Sequence, residues 1–152
     1  MSQRVPPPRP EYLEFLSPFQ PRIRELALAA RKLVLEEAPG ATELIYDAYN
    51  AVATGFSFTG RPSDGFIHIA VYAQWVNLGF NRGSLLDDPN GVLAGTGRWV
   101  RHIRISTPGD LKRPVVRGFV KTAAAGAERS GAQAPKSRSV VRAIYAKKRR
   151  PL

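Results

Sequence analysis

The chain has 152 residues, of which 43% are hydrophobic and 23% charged, the composition of one globular domain that buries roughly two-thirds of the surface of its unfolded chain. No apolar run approaches the roughly 18 residues of a membrane span, residues 1–10 lack the apolar core of a signal peptide, and the absence of cysteine excludes disulfides, thiolate metal sites and a cysteine nucleophile, so a cytoplasmic location is expected. Of the net charge of +11, +7 falls in residues 135–152, which hold no Asp or Glu; only +4 is left for the rest, and polyanion binding is expected mainly from the tail.

Residues 1–10 hold four prolines and no periodic pattern, and are predicted to form a disordered arm, because proline removes donors and disfavours a helical predecessor. A short helical turn is predicted at 11–16. From Pro21, the residues Ile23, Leu26, Ala27, Ala30, Leu33 and Val34 recur at helical steps, and Pro39-Gly40 ends that helix. Strands are predicted at 44–49 and 52–58, with Asn50-Ala51 near their turn. A second pair, 66–72 and 75–80, forms a hairpin around Ala73-Gln74. The loop 81–97 follows, with Leu85 and Leu86 tucked onto the body, and then a last strand at 98–105. Pro114 opens a second long helix with Val116, Phe119, Val120, Ala123 and Ala127 on one face. Past Glu128 the composition is that of a linker, and residues 131–152 are predicted to be a basic, flexible tail. Within it, Val140, Val141, Ile144 and Tyr145 suggest one amphipathic turn. The order of helix, consecutive strands and helix implies an α+β domain over 11–130. Its sheet is expected to be mostly antiparallel, of about five strands, with helices on one face.

Alternation on the last strand groups Trp99, Arg101, Ile103 and Ile105 on one face, and Arg98, Val100, His102 and Arg104 on the other. Arg101 is the odd residue on the apolar side. A buried guanidinium demands a partner, so Asp47, Asp87 and Asp88 are candidates for an ion pair, with an open anion pocket as the alternative. Arg98, His102 and Arg104 read either as a solvated face or as a docking stripe for phosphate. Gly95-Thr-Gly97 reads as a tight turn rather than a phosphate loop, since a strand and not a helix follows it. The run Asp87-Asp-Pro-Asn-Gly91 reads as a capped turn rather than a calcium loop. His68 and His102, the only histidines, make a poor metal site without a carboxylate, and no metal site is assigned. Glu25, Glu36 and Glu37 lie on a helix surface diluted by Arg22, Arg24, Arg31 and Lys32.

Several phrases in fixed order resemble the YdhG-like family, also called domain of unknown function 1801. They are Glu43-Leu-Ile-Tyr-Asp-Ala-Tyr-Asn-Ala51, Gly55-Phe-Ser-Phe58, Arg61-Pro-Ser-Asp64, Val76-Asn-Leu-Gly-Phe80 and Gly83-Ser-Leu-Leu-Asp-Asp-Pro-Asn-Gly91, then Leu93-Ala-Gly-Thr-Gly97 and Arg101-His-Ile-Arg-Ile105. The resemblance spans roughly residues 11–127. It implies an α+β fold, an intracellular setting and, from some relatives, a frataxin-like iron-chaperone role. Where many members carry Gly-Met-Pro, this chain has Asp47-Ala-Tyr-Asn50, which marks a divergent subgroup.

The functional expectation is a non-catalytic binding or accessory module without a cofactor. It would hold a small anionic ligand or a protein partner near Arg98, Arg101, His102 and Arg104. Lys136, Arg138, Arg142, Lys147, Lys148, Arg149 and Arg150 would add weak, sequence-independent nucleic-acid affinity. A frataxin-like iron carrier is the second reading. An enzyme is the third, and it requires Tyr46, Tyr49, Tyr72, Trp75 and Trp99 to converge with Arg101 and an aspartate. An open sheet face or edge would make a homodimer plausible.

Overall fold

The computed structural model describes residues 5–129 and 137–149. Each α-helix begins with a proline in its first turn, where the missing N–H costs nothing: α1 (Pro10–Leu16), α2 (Pro21–Glu37), α3 (Pro108–Lys112) and α4 (Pro114–Ala125). Helix α2 stops at Ala38, and Gly40 follows in the left-handed region at φ 87°. The short helix α3 has no counterpart among the expectations, although Thr107 and Asp110 carry its start signal. The Asp110 carboxylate accepts the backbone N–H groups of Ser106 and Thr107 at 2.8 and 3.0 Å, and these bonds hold its carboxyl below the usual range.

Strands β1 (Thr42–Asp47), β2 (Val52–Ser57), β3 (Ile67–Val71), β4 (Val76–Phe80) and β5 (Arg101–Ile105) run as consecutive antiparallel neighbours. A sixth, β6 (Ser139–Ile144), returns to pair in parallel with β1, so the sheet order is β5-β4-β3-β2-β1-β6. The protein is thus an α+β domain with a mostly antiparallel sheet, as the element order implies, but with six strands where about five are expected. No helix among the described residues is long and apolar enough to cross a membrane.

Strand β6 corrects the reading of the tail. Residues 139–144 are neither a flexible extension nor a helical turn. Their backbone is held by Glu43 N–H to Arg138 O (2.6 Å), and the chain beyond them by Tyr145 N–H to Asp47 O (2.8 Å) and Arg149 N–H to Tyr49 O (2.7 Å). The N-terminal arm is likewise tied down from residue 5 onward. Val5 packs against the core, and Arg9 Nη1 donates to Ser139 O at 3.0 Å.

The core lies on one side of the sheet. Ile45, Val52, Phe56, Ile67, Ile69, Val71, Val76, Leu78, Phe80, Ile103 and Ile105 meet the buried stripes of α2 and α4 there, with Tyr12 and Leu16 of α1. Leu86 joins this layer, whereas Leu85 is 67% exposed, so only one of the two leucines tucks in. Two carboxylates also point inward from β1. Glu43 takes a two-pronged ion pair from Arg31 (2.8 and 2.9 Å), with both side chains at least 96% buried. Asp47 pairs with Lys148 at 2.7 Å. Arg31 therefore lies inside the molecule and not on the helix surface. Burial and the Glu43 charge push the neighbouring Tyr12 phenol up, so it stays protonated.

Candidate functional site

The three arginines and the histidine of the Arg98–Arg104 segment do not converge. Strand β5 begins at Arg101, later than expected, because residues 98–100 belong to a turn: Trp99 O accepts from Ser84 N–H at 3.0 Å, and Arg98 O from the Ser84 hydroxyl at 2.8 Å. Trp99 consequently leaves the apolar face and is 42% exposed. Arg101 does sit on the helix-side register, but no aspartate answers it. Its Nη1 donates to the carbonyls of Gly97 and Val100 at 2.6 and 2.7 Å. The candidate partners are engaged or distant: Asp47 holds Lys148 four strands away, Asp88 caps its own turn through Val92 N–H and Leu93 N–H (2.8 and 2.9 Å), and Asp87 is exposed. The glycines of this region make room for Arg101. A Cβ at Gly83 would stand 2.4 Å from the Arg101 Cβ, and Gly95 takes φ 124° behind it. The Gly95–Gly97 turn thus offers a carbonyl to a cation, the reverse of an anion nest.

His102 and Arg104 point to the opposite side, which carries no helix among the described residues. The registers align two rows across it. One runs Val140, Leu44, Gly55, His68, Gly79, His102; the other runs Ala143, Tyr46, Ala53, Ala70, Asn77, Arg104. No Asp or Glu stands in either row, because the strand carboxylates Glu43 and Asp47 face the core. The floor is low, since Gly55, Gly79, Ala53 and Ala70 occupy its centre. At strand spacing, the five steps from β6 to β5 span about 24 Å.

His68 lies flat on this floor. A Cβ at Gly79 would fall 1.9 Å from its Nε2, so the ring occupies the space a side chain would take. Its Nδ1 meets Asn81 Oδ1 at 2.9 Å. Burial, with a smaller contribution from His102, pushes the imidazole below its usual range. The two histidines share a face but straddle β4. No group of three His, Asp or Glu side chains that would hold a metal gathers among the described residues.

Cations border the face, several of them against aromatic rings. The Arg104 guanidinium lies 3.9 Å from the Trp75 ring centroid, and Trp75 stacks on Tyr72. At the other end of the sheet, Arg98 and Arg82 approach Trp99 at 4.9 and 5.8 Å. Along the β6 edge, Arg138, Arg142, Lys147 and Arg149 are exposed beside Tyr145, which is 50% exposed, and Tyr49, which is 43% exposed. Among the described residues, Arg98, Arg104, Arg138, Arg142, Lys147 and Arg149 have no carboxylate partner. Lys148 is committed to Asp47. Lys136 and Arg150 lie outside the described residues. Arg82 is the contributor that sequence reasoning missed; its only signal was a basic residue between β4 and a glycine. The five aromatics proposed to mark an active site are divided between the sheet face, its two ends and the turns, and do not converge on Arg101. Comparison with family models, with curated proteins and with solved structures finds no match for the chain.

Proposed function

We propose that this protein is a non-catalytic binding module for single-stranded nucleic acid, laid across the sheet face that no described helix covers and the β6 edge. The supporting observation is a sheet face about 24 Å wide without a carboxylate, bordered by cations that no described acid neutralises. A small anion needs charges that converge, and Arg98, Arg101 and His102 point in different directions. A polymer of phosphates suits cations that are spread out, and exposed Trp99, Tyr49 and Tyr145 offer rings on which bases stack irrespective of sequence. The tail therefore acts as one border of a larger surface instead of as a separate arm. The YdhG-like assignment is retained as a proposal resting on the sequence phrases, and it names no activity. Iron carriage has no gathered ligand set among the described residues to favour it.

Fluorescence anisotropy with a mixed-sequence single-stranded oligonucleotide over a salt series tests the reading. Four to six phosphate contacts give a slope of about −3 to −4 in log K against log salt, at about −0.7 per contact. Binding that is absent at low salt, or unchanged in Arg104→Gln/Arg142→Gln, would overturn it.

A further inference from the structure

At the end of the sheet where Trp99 stands, the last turn of α4 leaves a pocket of about 320 Å3 that shares only Arg82 with the proposed interface. Its origin is a run of small residues: Ala123, Gly126 and Ala127 sit where larger side chains would fill the space against Phe66 and Phe80. Both rings are braced from behind. Phe66 stacks on Phe58 at 4.8 Å with an interplanar angle of 8°, and Phe80 meets Phe119 edge-on at 6.0 Å. The apolar wall is therefore preformed, as ligand sites usually are, and its volume is at the small end of their range.

The rim is charged with both signs. Arg82 lines the pocket and has no carboxylate partner among the described residues. Asp64 and Glu128 supply negative charge. Asp64 is held in place by the Thr59 hydroxyl (2.7 Å) and Arg61 Nε (2.9 Å), and these bonds keep its carboxyl below the usual range, so it remains ionised. The C-terminal end of α4 adds nothing to that charge, because Arg129 Nη2 donates to the Ala124 carbonyl at 3.1 Å. A purely anionic ligand would meet Asp64 and Glu128, and a purely cationic one would meet Arg82. We infer that this pocket binds a small amphoteric molecule with an apolar body, a free aromatic amino acid being the matching class. Its ammonium group turns to Glu128 and Asp64, its carboxylate to Arg82, and its ring to Phe66 and Phe80.

The test is ligand titration of the full chain followed by backbone-amide NMR, with L-phenylalanine, phenethylamine and 3-phenylpropionate compared. L-Phenylalanine is expected to bind about tenfold more tightly than either mono-charged analogue, as expected for loss of one charge-assisted contact, with shifts confined to amides of residues 63–66, 82–86 and 122–128. Arg82→Gln should weaken L-phenylalanine to the level of phenethylamine, without weakening phenethylamine itself. Ala123→Leu, which fills the hollow, should abolish binding of all three. If that variant melts early, Glu128→Gln on the exposed rim substitutes for it and should weaken both amine-bearing ligands while sparing 3-phenylpropionate. Equal affinity for the three molecules, shifts on the sheet face, or no binding at millimolar concentration would overturn the assignment.

Discussion

Glu43 and Asp47 point from β1 into the helical layer, while Leu44 and Tyr46 of the same strand point to a face on which no carboxylate stands. Within one strand, charge is therefore handled in two ways. Toward the core, each acid has its own cation, Arg31 or Lys148, because an ion taken out of water must be paired. Toward solvent, Arg104 needs no acid, since water screens it, and a phosphate chain can take the place of that water. The inner charges serve the fold, and the outer ones are available to a partner.

The sharpest way to break this contrast is at the inner pair. Arg31→Met strands the Glu43 carboxylate in the core and is expected to cost about 3–5 kcal/mol in denaturant unfolding. Arg31→Met/Glu43→Leu, which removes both charges, should recover most of the loss; if the double variant is as unstable as the single one, the pair is not what the site depends on. Next in size is the floor of the open face. Gly79→Ala forces the His68 ring aside at a cost of about 1–3 kcal/mol, and the penalty should shrink in a His68→Ala background, read as a double-mutant cycle. Outer cations should behave oppositely to inner ones. Arg104→Gln/Arg142→Gln is expected to change stability by less than about 0.5 kcal/mol while reducing the salt slope of oligonucleotide binding by about 1.4, two contacts at about 0.7 each. The smallest effect is that of pH. His68 has its folded pKa depressed from the usual 6.5, so the unfolded chain binds the proton more readily. The His68 contribution is fully present above pH 6.5 and is lost as pH falls from there through the folded value. His68→Gln should flatten that part of a stability profile measured by thermal melts across pH 5–8.

Most of the body was legible because its signals are local. The three-and-four spacing from Ile23 to Val34, the prolines that open α2 and α4 and the alternation from Ile67 to Val71 describe their own elements without reference to the rest of the chain. Residues 139–144 carry no such local signal. Their β-branched content (Val140, Val141, Ile144) is the available clue, but the strand they pair with lies nearly a hundred residues earlier, and the flanking cations suggest a solvated tail. Arg101 was placed on the correct side of the sheet, yet its partners are carbonyls of its own turn. A backbone acceptor leaves no trace in residue identity, whereas an aspartate does. Arg31 shows the converse: its helix position was plain, but its burial depends on Glu43, which β1 brings beneath α2.

The amino-acid order alone thus determined the class of fold, the two long helices and the five antiparallel strands, and the excess of positive charge. These depend on composition and on contacts between near neighbours in the chain. Tertiary structure decided which charges are hidden and which are offered, because sheet register sets which way each side chain points. It also decided that the last strand closes beside the first, and that small residues at the end of α4 leave a hollow between two braced phenylalanines.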